Sequence, residues 1–261
     1  MLARALRLQA RPAEAQAALD DGLKRLGSRP ELEAERAFGW ALEGRVGEAV
    51  AVVNALAAVH PDTIEVQRTL AMLAFTLKDT ETGSEATDRA FALAPEDPTP
   101  LASRARYLAS RGLWQPARAD LIRAQALRPA NAEFAFLRGA VEAGAGDPRA
   151  AEAAYRRAAE LDATHFAARN NLALLVAERG ELDEALTFAQ EAHALDADNA
   201  DGLDTLGWLY LQRGLVDRSI AFLERAHAAA PHQEEARRHL LLAYREAGRD
   251  VDADALARRR E

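Results

Sequence analysis

The stretch HQEEARRH, residues 232 to 239, holds two histidines with carboxylates between them, the residue types from which zinc-dependent hydrolases build a site. Those enzymes space the histidines four apart, so that both imidazoles leave one helix face with a glutamate between them as general base. His232 and His239 stand seven apart, and His232 follows Pro231, so a capped helix start is the simpler reading. Gly144, Gly146 and Asp147 superficially resemble a phosphate-cradling loop, but no strand precedes them and no GK[ST] ending follows. The carboxylate pairs Asp183/Glu184 and Glu234/Glu235 fall in early helical turns, where negative charge favours the helix dipole without any catalytic role. No GxSxG context occurs. Cysteine is absent, which removes disulfides, thiolate metal ligands and cysteine nucleophiles together and leaves the redox compartment, and so the localisation, open. The expectation is a noncatalytic chain with no metal site and no cofactor.

Charge narrows the partners. Of the 261 residues, 33 are basic and 41 acidic, a formal net charge of −8 that argues against nonspecific binding of nucleic acid. Apolar runs such as LALLVA, 172 to 177, are far short of the ~20 residues a spanning helix needs, so no direct membrane insertion is expected. The start, MLARALRLQARPAEA, carries arginines inside its apolar pattern, which makes it a poor secretory signal. It reads as a helix entered partway through.

The elements that would have to position any site emerge from a step of 34 residues. One register gives Ala15, Ala49, Gly83, Ala117, Ala151, Ala185, Ser219 and Ala253, all small. A second gives Ala3, Ala37, Ala71, Ala105, Gly139, Ala173, Gly207 and Leu241, which departs only in its last copy. A third runs Ala10, Gly44, Lys78, Gly112, Gly146, Gly180, Gly214 and Gly248, where glycine suits a left-handed helix cap. A fourth runs Gly27, Pro61, Pro95, Pro129, Ala163, Ala197 and Pro231, stopping one helix pair and opening the next. Between these marks the apolar residues keep helical spacing, and no segment shows sustained strand alternation. Each unit is therefore two antiparallel helices whose small residues meet where the axes cross. Gly207 is expected to face Ser219, Gly83 to loosen its crossing, and the first and third units to pack least well.

The 34-residue unit resembles the tetratricopeptide repeat: Leu203, Leu206, Gly207 and Tyr210, followed by Gly214, Ser219, Leu223, Ala226 and Pro231, are similar to that family's signature. The resemblance covers essentially the whole chain as one array, with a partial unit at 1–29, full units at 30–63, 64–97, 98–131, 132–165, 166–199 and 200–233, and a last unit at 234–261. It implies an all-α, right-handed superhelical solenoid whose first helices line a concave groove.

In that resemblance the inward positions of the first helices are Phe38, Arg68, Met72, Phe75, Arg106, Phe136, Asn170, Leu174, Asp204, Trp208, Gln212, Arg238 and Arg245. Large apolar side chains there suit binding anchors, and Asn170 with Asn171 could hydrogen-bond an extended peptide backbone. The bland reading is that the aromatics pack against neighbouring first helices, and that Tyr155, Tyr210 and Trp114 are core. The lysine and asparagine clamp that chaperone-binding relatives use for a terminal carboxylate is not presented. The asparagine ladder of glycosyltransferase-type superhelices is missing too, since the register of Asn171 otherwise holds Glu35, Thr69, Ser103, Leu137, Thr205 and His239.

The resemblance thus implies a protein-interaction scaffold that holds a protein or peptide segment, extended or helical, in its groove. Residues 166–248 also look similar to bacterial repeat proteins of polysaccharide export and exosortase-linked envelope systems. The alternative is a regulatory or substrate-recruiting region of a longer enzyme, motivated by Leu2, Leu6 and Leu8, which lack an upstream neighbour. If Met1 is the natural start, that N-terminal edge helix becomes a candidate surface for self-association, while the polar tail DADALARRRE can cap the other end.

Overall fold

The computed structural model describes Leu6 and residues 11–258. Leu2, Leu8, Ala3, Ala10 and the tail residues Arg259, Arg260 and Glu261 lie outside the described residues, and with them most of the N-terminal edge and the end of the polar tail. The described residues form helices joined by short turns, with no strand among them. The chain divides into two compact units at Pro129/Ala130. The 34-residue register passes through that point without an insertion.

The first unit holds α1 (Pro12–Leu26), α2 (Pro30–Leu42), α3 (Val46–Val59), α4 (Ile64–Thr76), α5 (Thr80–Leu93), α6 (Thr99–Ser110) and α7 (Trp114–Leu127). From α2 onward, even-numbered helices are the first of a pair and odd-numbered ones the second. Within the unit α2 packs on α3, α4 on α5 and α6 on α7, and the first helices α2 and α4 also touch. The second unit repeats the plan with α8 (Ala132–Gly144), α9 (Pro148–Leu161), α10 (Phe166–Glu178), α11 (Leu182–Leu195), α12 (Ala200–Gln212), α13 (Val216–Ala229), α14 (Glu234–Glu246) and α15 (Asp250–Arg258). Here α10 and α12, and α12 and α14, lie side by side as neighbouring first helices.

The turn between the two helices of each pair is fixed by a left-handed residue. Gly44, Gly112, Gly146, Gly180, Gly214 and Gly248 all have φ between 68° and 86°. In each case the glycine N–H donates to the carbonyl three residues back and the next N–H to the carbonyl five back from itself, as in Gly214 to Leu211 (2.9 Å) and Leu215 to Tyr210 (2.9 Å). This closes the helix in a Schellman motif. Lys78 makes the same two bonds at φ 63°, without glycine's freedom there. At the far side of this turn Asp79 and Asp147 cap the second helices, accepting from the N–H groups of Thr82 (3.1 Å) and Ala150 (3.0 Å). The Asp147 carboxylate thus takes the helix N-terminus at which a phosphate would have to sit.

Small residues occupy the crossings. Ala37, Ala49, Ala105, Ala117, Ala151, Ala173 and Ala185 are fully buried, as is Ser219. Gly207, however, faces Leu223, one turn beyond Ser219: a Cβ at Gly207 would lie 2.5 Å from Leu223 Cγ and 3.2 Å from its backbone nitrogen. Gly139 is likewise covered by the ring of Tyr155, the residue at the Leu223 position two units earlier. The pairing is not obligatory: Ala173 stands in the unit where that position is Ala189, but Ala105 stands in the unit where it is the fully buried Leu121. Gly83 is not a loose crossing either, because the ring of Phe75 fills the space a side chain would take. The interior is completed by fully buried Leu73, Leu101 and Leu121 in the first unit and Leu172, Leu203, Leu206, Leu209 and Leu223 in the second. Each such leucine contributes about 1.5–3 kcal/mol relative to leaving it exposed.

Candidate interaction grooves

The first helices of each unit line a groove. In the first unit, α2, α4 and α6 enclose about 860 Å³. Phe38, Arg68, Met72, Phe75 and Arg106 all line it, together with Leu42, Tyr107, Pro100, the carboxylates Glu35 and Glu65, and hydroxyl side chains such as Thr69 and Ser103. Phe75 and Tyr107 stack with ring centroids 4.4 Å apart and planes 21° from parallel. The Tyr107 hydroxyl is 2.8 Å from Thr80 Oγ1, which fixes the outer ring of the stack. Arg68 reaches the Asp97 carboxylate at 3.1 Å. Burial works against that carboxylate, but hydrogen bonds from Thr99 and the charges of Arg68 and Arg128 outweigh it and hold Asp97 below the usual carboxylate range.

In the second unit, α10, α12 and α14 enclose about 1120 Å³. Asn170, Asn171, Leu174, Asp204, Trp208, Gln212, Arg238 and Arg245 all line it. His239 stacks on Trp208 at 4.4 Å and 15°, and its Nδ1 lies 2.9 Å and 3.1 Å from the two carboxylate oxygens of Asp204. One carboxylate thus holds the imidazole, and the imidazole holds one face of the indole. Asn171 donates to the Tyr155 hydroxyl at 3.1 Å. Burial pushes that phenol up, and the Asn171 bond partly opposes the shift. The Asn170 Oδ1 is buried and has no hydrogen-bond partner.

Phe136 lines neither groove. It packs against Tyr155 (centroids 5.6 Å apart) and His165 (4.8 Å), between helices of its own unit. Its register, shared with Ala34, Arg68, Ala102, Asn170, Asp204 and Arg238, turns partly inward: Ala34, Ala102 and Asn170 are buried, and Arg68 and Asp204 spend their charges on Asp97 and His239. Two side chains that shape the grooves, Tyr107 and His239, are not singled out by the inward positions. Tyr107 occupies a register otherwise filled by Ala5, Gly39, Leu73, Val141, Leu175, Leu209 and Ala243. A hydroxyl at an otherwise nonpolar position needs a partner, and that was the available signal.

Among the described residues no group of three or more His, Asp or Glu is placed to hold a metal ion, and His232 is exposed while His239 is held by Asp204. No helix among them is long and apolar enough to cross a membrane.

Neither a protein-family model nor a curated protein matches the chain. Solved structures do. One is "PilW, widely conserved type IV pilus biogenesis factor", at 19% identity and TM-score 0.68, covering 81% of this chain and 98% of that one. A tetratricopeptide repeat protein from Parabacteroides merdae aligns at 14% identity and TM-score 0.64, covering 92% and 95%. The fold is that of the tetratricopeptide repeat. A second tetratricopeptide repeat protein, YrrB, described as having an unusual peptide-binding site, aligns at 20% identity and TM-score 0.54 over 70% of this chain and 95% of that one. At these identities the tetratricopeptide repeat likeness concerns architecture.

Proposed function

We propose that this chain is a noncatalytic interaction scaffold whose tetratricopeptide repeats hold segments of partner proteins against the first helices. The observation that carries the reading is the surface of the two grooves. Phe38, Met72 and the Phe75–Tyr107 stack in one, and Leu174 with the Trp208–His239 stack in the other, put large apolar groups on open faces where solvated repeats would carry polar ones. Aromatic and arginine side chains held rigid by their neighbours are the usual anchors of protein interfaces. The binding of peptides or the assembly of pili by similar folds is consistent with this role. A setting in a bacterial envelope or polysaccharide-export assembly extends the same reading.

The test is affinity capture with mass spectrometry, using the full chain, a Trp208→Ala/Arg238→Ala variant and a Phe38→Ala/Met72→Ala variant. Captured proteins should be lost from one variant or the other while helical circular dichroism is kept, and a synthetic segment of the captured protein should then bind the full chain directly. A capture profile unchanged by both variants would overturn the proposal.

A further inference from the structure

The groove of the second unit has a feature that the first lacks: an apolar stripe with carboxylates along both edges. Leu174, Trp208 and Leu242 occupy equivalent positions on α10, α12 and α14, and the two leucines are 38% and 48% exposed. Residues four later and seven earlier on a helix share the face of the residue they flank. Four later stand Glu178, Gln212 and Glu246; seven earlier stand Asp201 and Glu235. Glu178 and Glu246 have no ion-pair partner among the described residues, and Asp201 is met by the neutral amide of Gln233 at 2.9 Å. Glu235 is answered by Arg238 at 3.4 Å. That leaves Arg245 to set against three carboxylates. In the first unit the matching stripe is Phe38, Met72 and Arg106; its seven-earlier edge also holds carboxylates, Glu31 and Glu65, but its four-later edge is Leu42, Thr76 and Ser110, which carry no charge.

We infer that the α10–α12–α14 groove takes a basic amphipathic helix of a partner protein, its apolar stripe on Leu174, Trp208 and Leu242 and its flanking lysines or arginines on the edge carboxylates. The inference rests on the groove-binding reading above and adds the chemistry of the occupant. An amphipathic helix carries polar residues on both sides of its apolar stripe, which matches a stripe charged along both sides. An extended strand turns alternate residues away from the surface and cannot present both flanks at once. The Asp204–His239 pair adds rigidity, because an indole already stacked on one face gives up little freedom when the other is covered.

The test uses the full chain and a synthetic helix of leucine and lysine whose leucines form one stripe, compared with the same peptide carrying glutamate for every lysine. The lysine peptide should bind, and the glutamate peptide at least roughly tenfold more weakly. Neutralising the edges, Glu178→Gln/Asp201→Asn/Glu246→Gln, should weaken the lysine peptide by about tenfold. A charge-matched control on second helices, Glu160→Gln/Asp217→Asn/Asp254→Asn, should leave it within about twofold, which separates groove binding from attraction to an acidic protein. Trp208→Ala should abolish binding. The exposed variant Leu242→Ser repeats that test should the tryptophan variant lose helical circular dichroism. Equal binding of both peptides, with Leu242→Ser still disruptive, would overturn the basic helix while sparing the groove. Binding of the lysine peptide unaffected by both Trp208→Ala and Leu242→Ser would overturn both.

Discussion

The Phe75 ring lies directly over Gly83, filling the space in which any side chain at that position would stand. A glycine on a second helix thus sets the floor of a groove on the first helices, since Phe75 in turn stacks on Tyr107. Gly83→Ala should destabilise the protein by roughly 1–3 kcal/mol through overpacking, even though alanine is the better helix former. Gly47, in the first turn of α3 with nothing within 4 Å of its would-be Cβ, should respond with the opposite sign, gaining up to about 1 kcal/mol as alanine. Denaturant unfolding of the two variants checks the contrast. Combining Gly83→Ala with Phe75→Ala should cost less than the sum of the single changes.

Lys78 holds a left-handed turn that glycine holds in the six equivalent turns described. Lys78→Gly should therefore raise stability by about 0.5–1 kcal/mol, the relief of roughly 1–2 kcal/mol of steric cost less the entropy glycine loses on folding. The denaturation midpoint should rise with an unchanged slope. The reverse change at Gly112 or Gly214 should lower it.

Arg104 is largely buried and forms a fork on Asp120, with Nε–Oδ2 at 2.7 Å and Nη2–Oδ1 at 2.8 Å, while its Nη1 donates to Asp88 at 2.8 Å. The Asp120 bonds chiefly, and its charge and that of Asp88 further, hold the guanidinium above its ordinary value against the effect of burial. Truncating Arg104 to alanine strands the buried Asp120 carboxylate and should cost about 3–5 kcal/mol. Replacing Arg104 and Asp120 together with methionine and leucine should recover most of that loss, as read by thermal unfolding.

Tyr244 should make the protein sensitive to alkali. Its hydroxyl donates to Glu224 at 2.8 Å, and burial, with that carboxylate reinforcing it, pushes the phenol up to about 12. An unfolded tyrosine titrates near 10. The neutral form is favoured in the fold, so this contribution is complete below about pH 10 and is lost as pH rises towards 12. Tyr244→Phe should flatten the fall in stability across that window, and tyrosinate absorbance should follow the same course.

The helix pairs and their turns were legible because each unit repeats the same geometric demands. A left-handed cap, a small crossing residue and a helix stop each restrict residue type, and 34-residue spacing makes the restrictions visible. The partner across each crossing was less legible. Register predicts Ser219 opposite Gly207, whereas Leu223 lies there, because side chains lean along the helix and cover the turn before their own Cα. Of the inward positions, Phe136 packs between helices, because register alone does not say whether a side chain enters the groove or the seam between helices. The Trp208–His239–Asp204 arrangement joins side chains on two helices with unrelated local patterns, so only the packed structure reveals it.

The Schellman turns bear on kinetics as well as geometry. Within each unit a helix touches mainly the next helix and the next but one, so nearly all native contacts close short loops. Low contact order favours rapid folding, and near-neighbour coupling lets hairpins melt in succession instead of all together. Amide hydrogen exchange should accordingly be graded along each unit, slowest at the helices flanked on both sides.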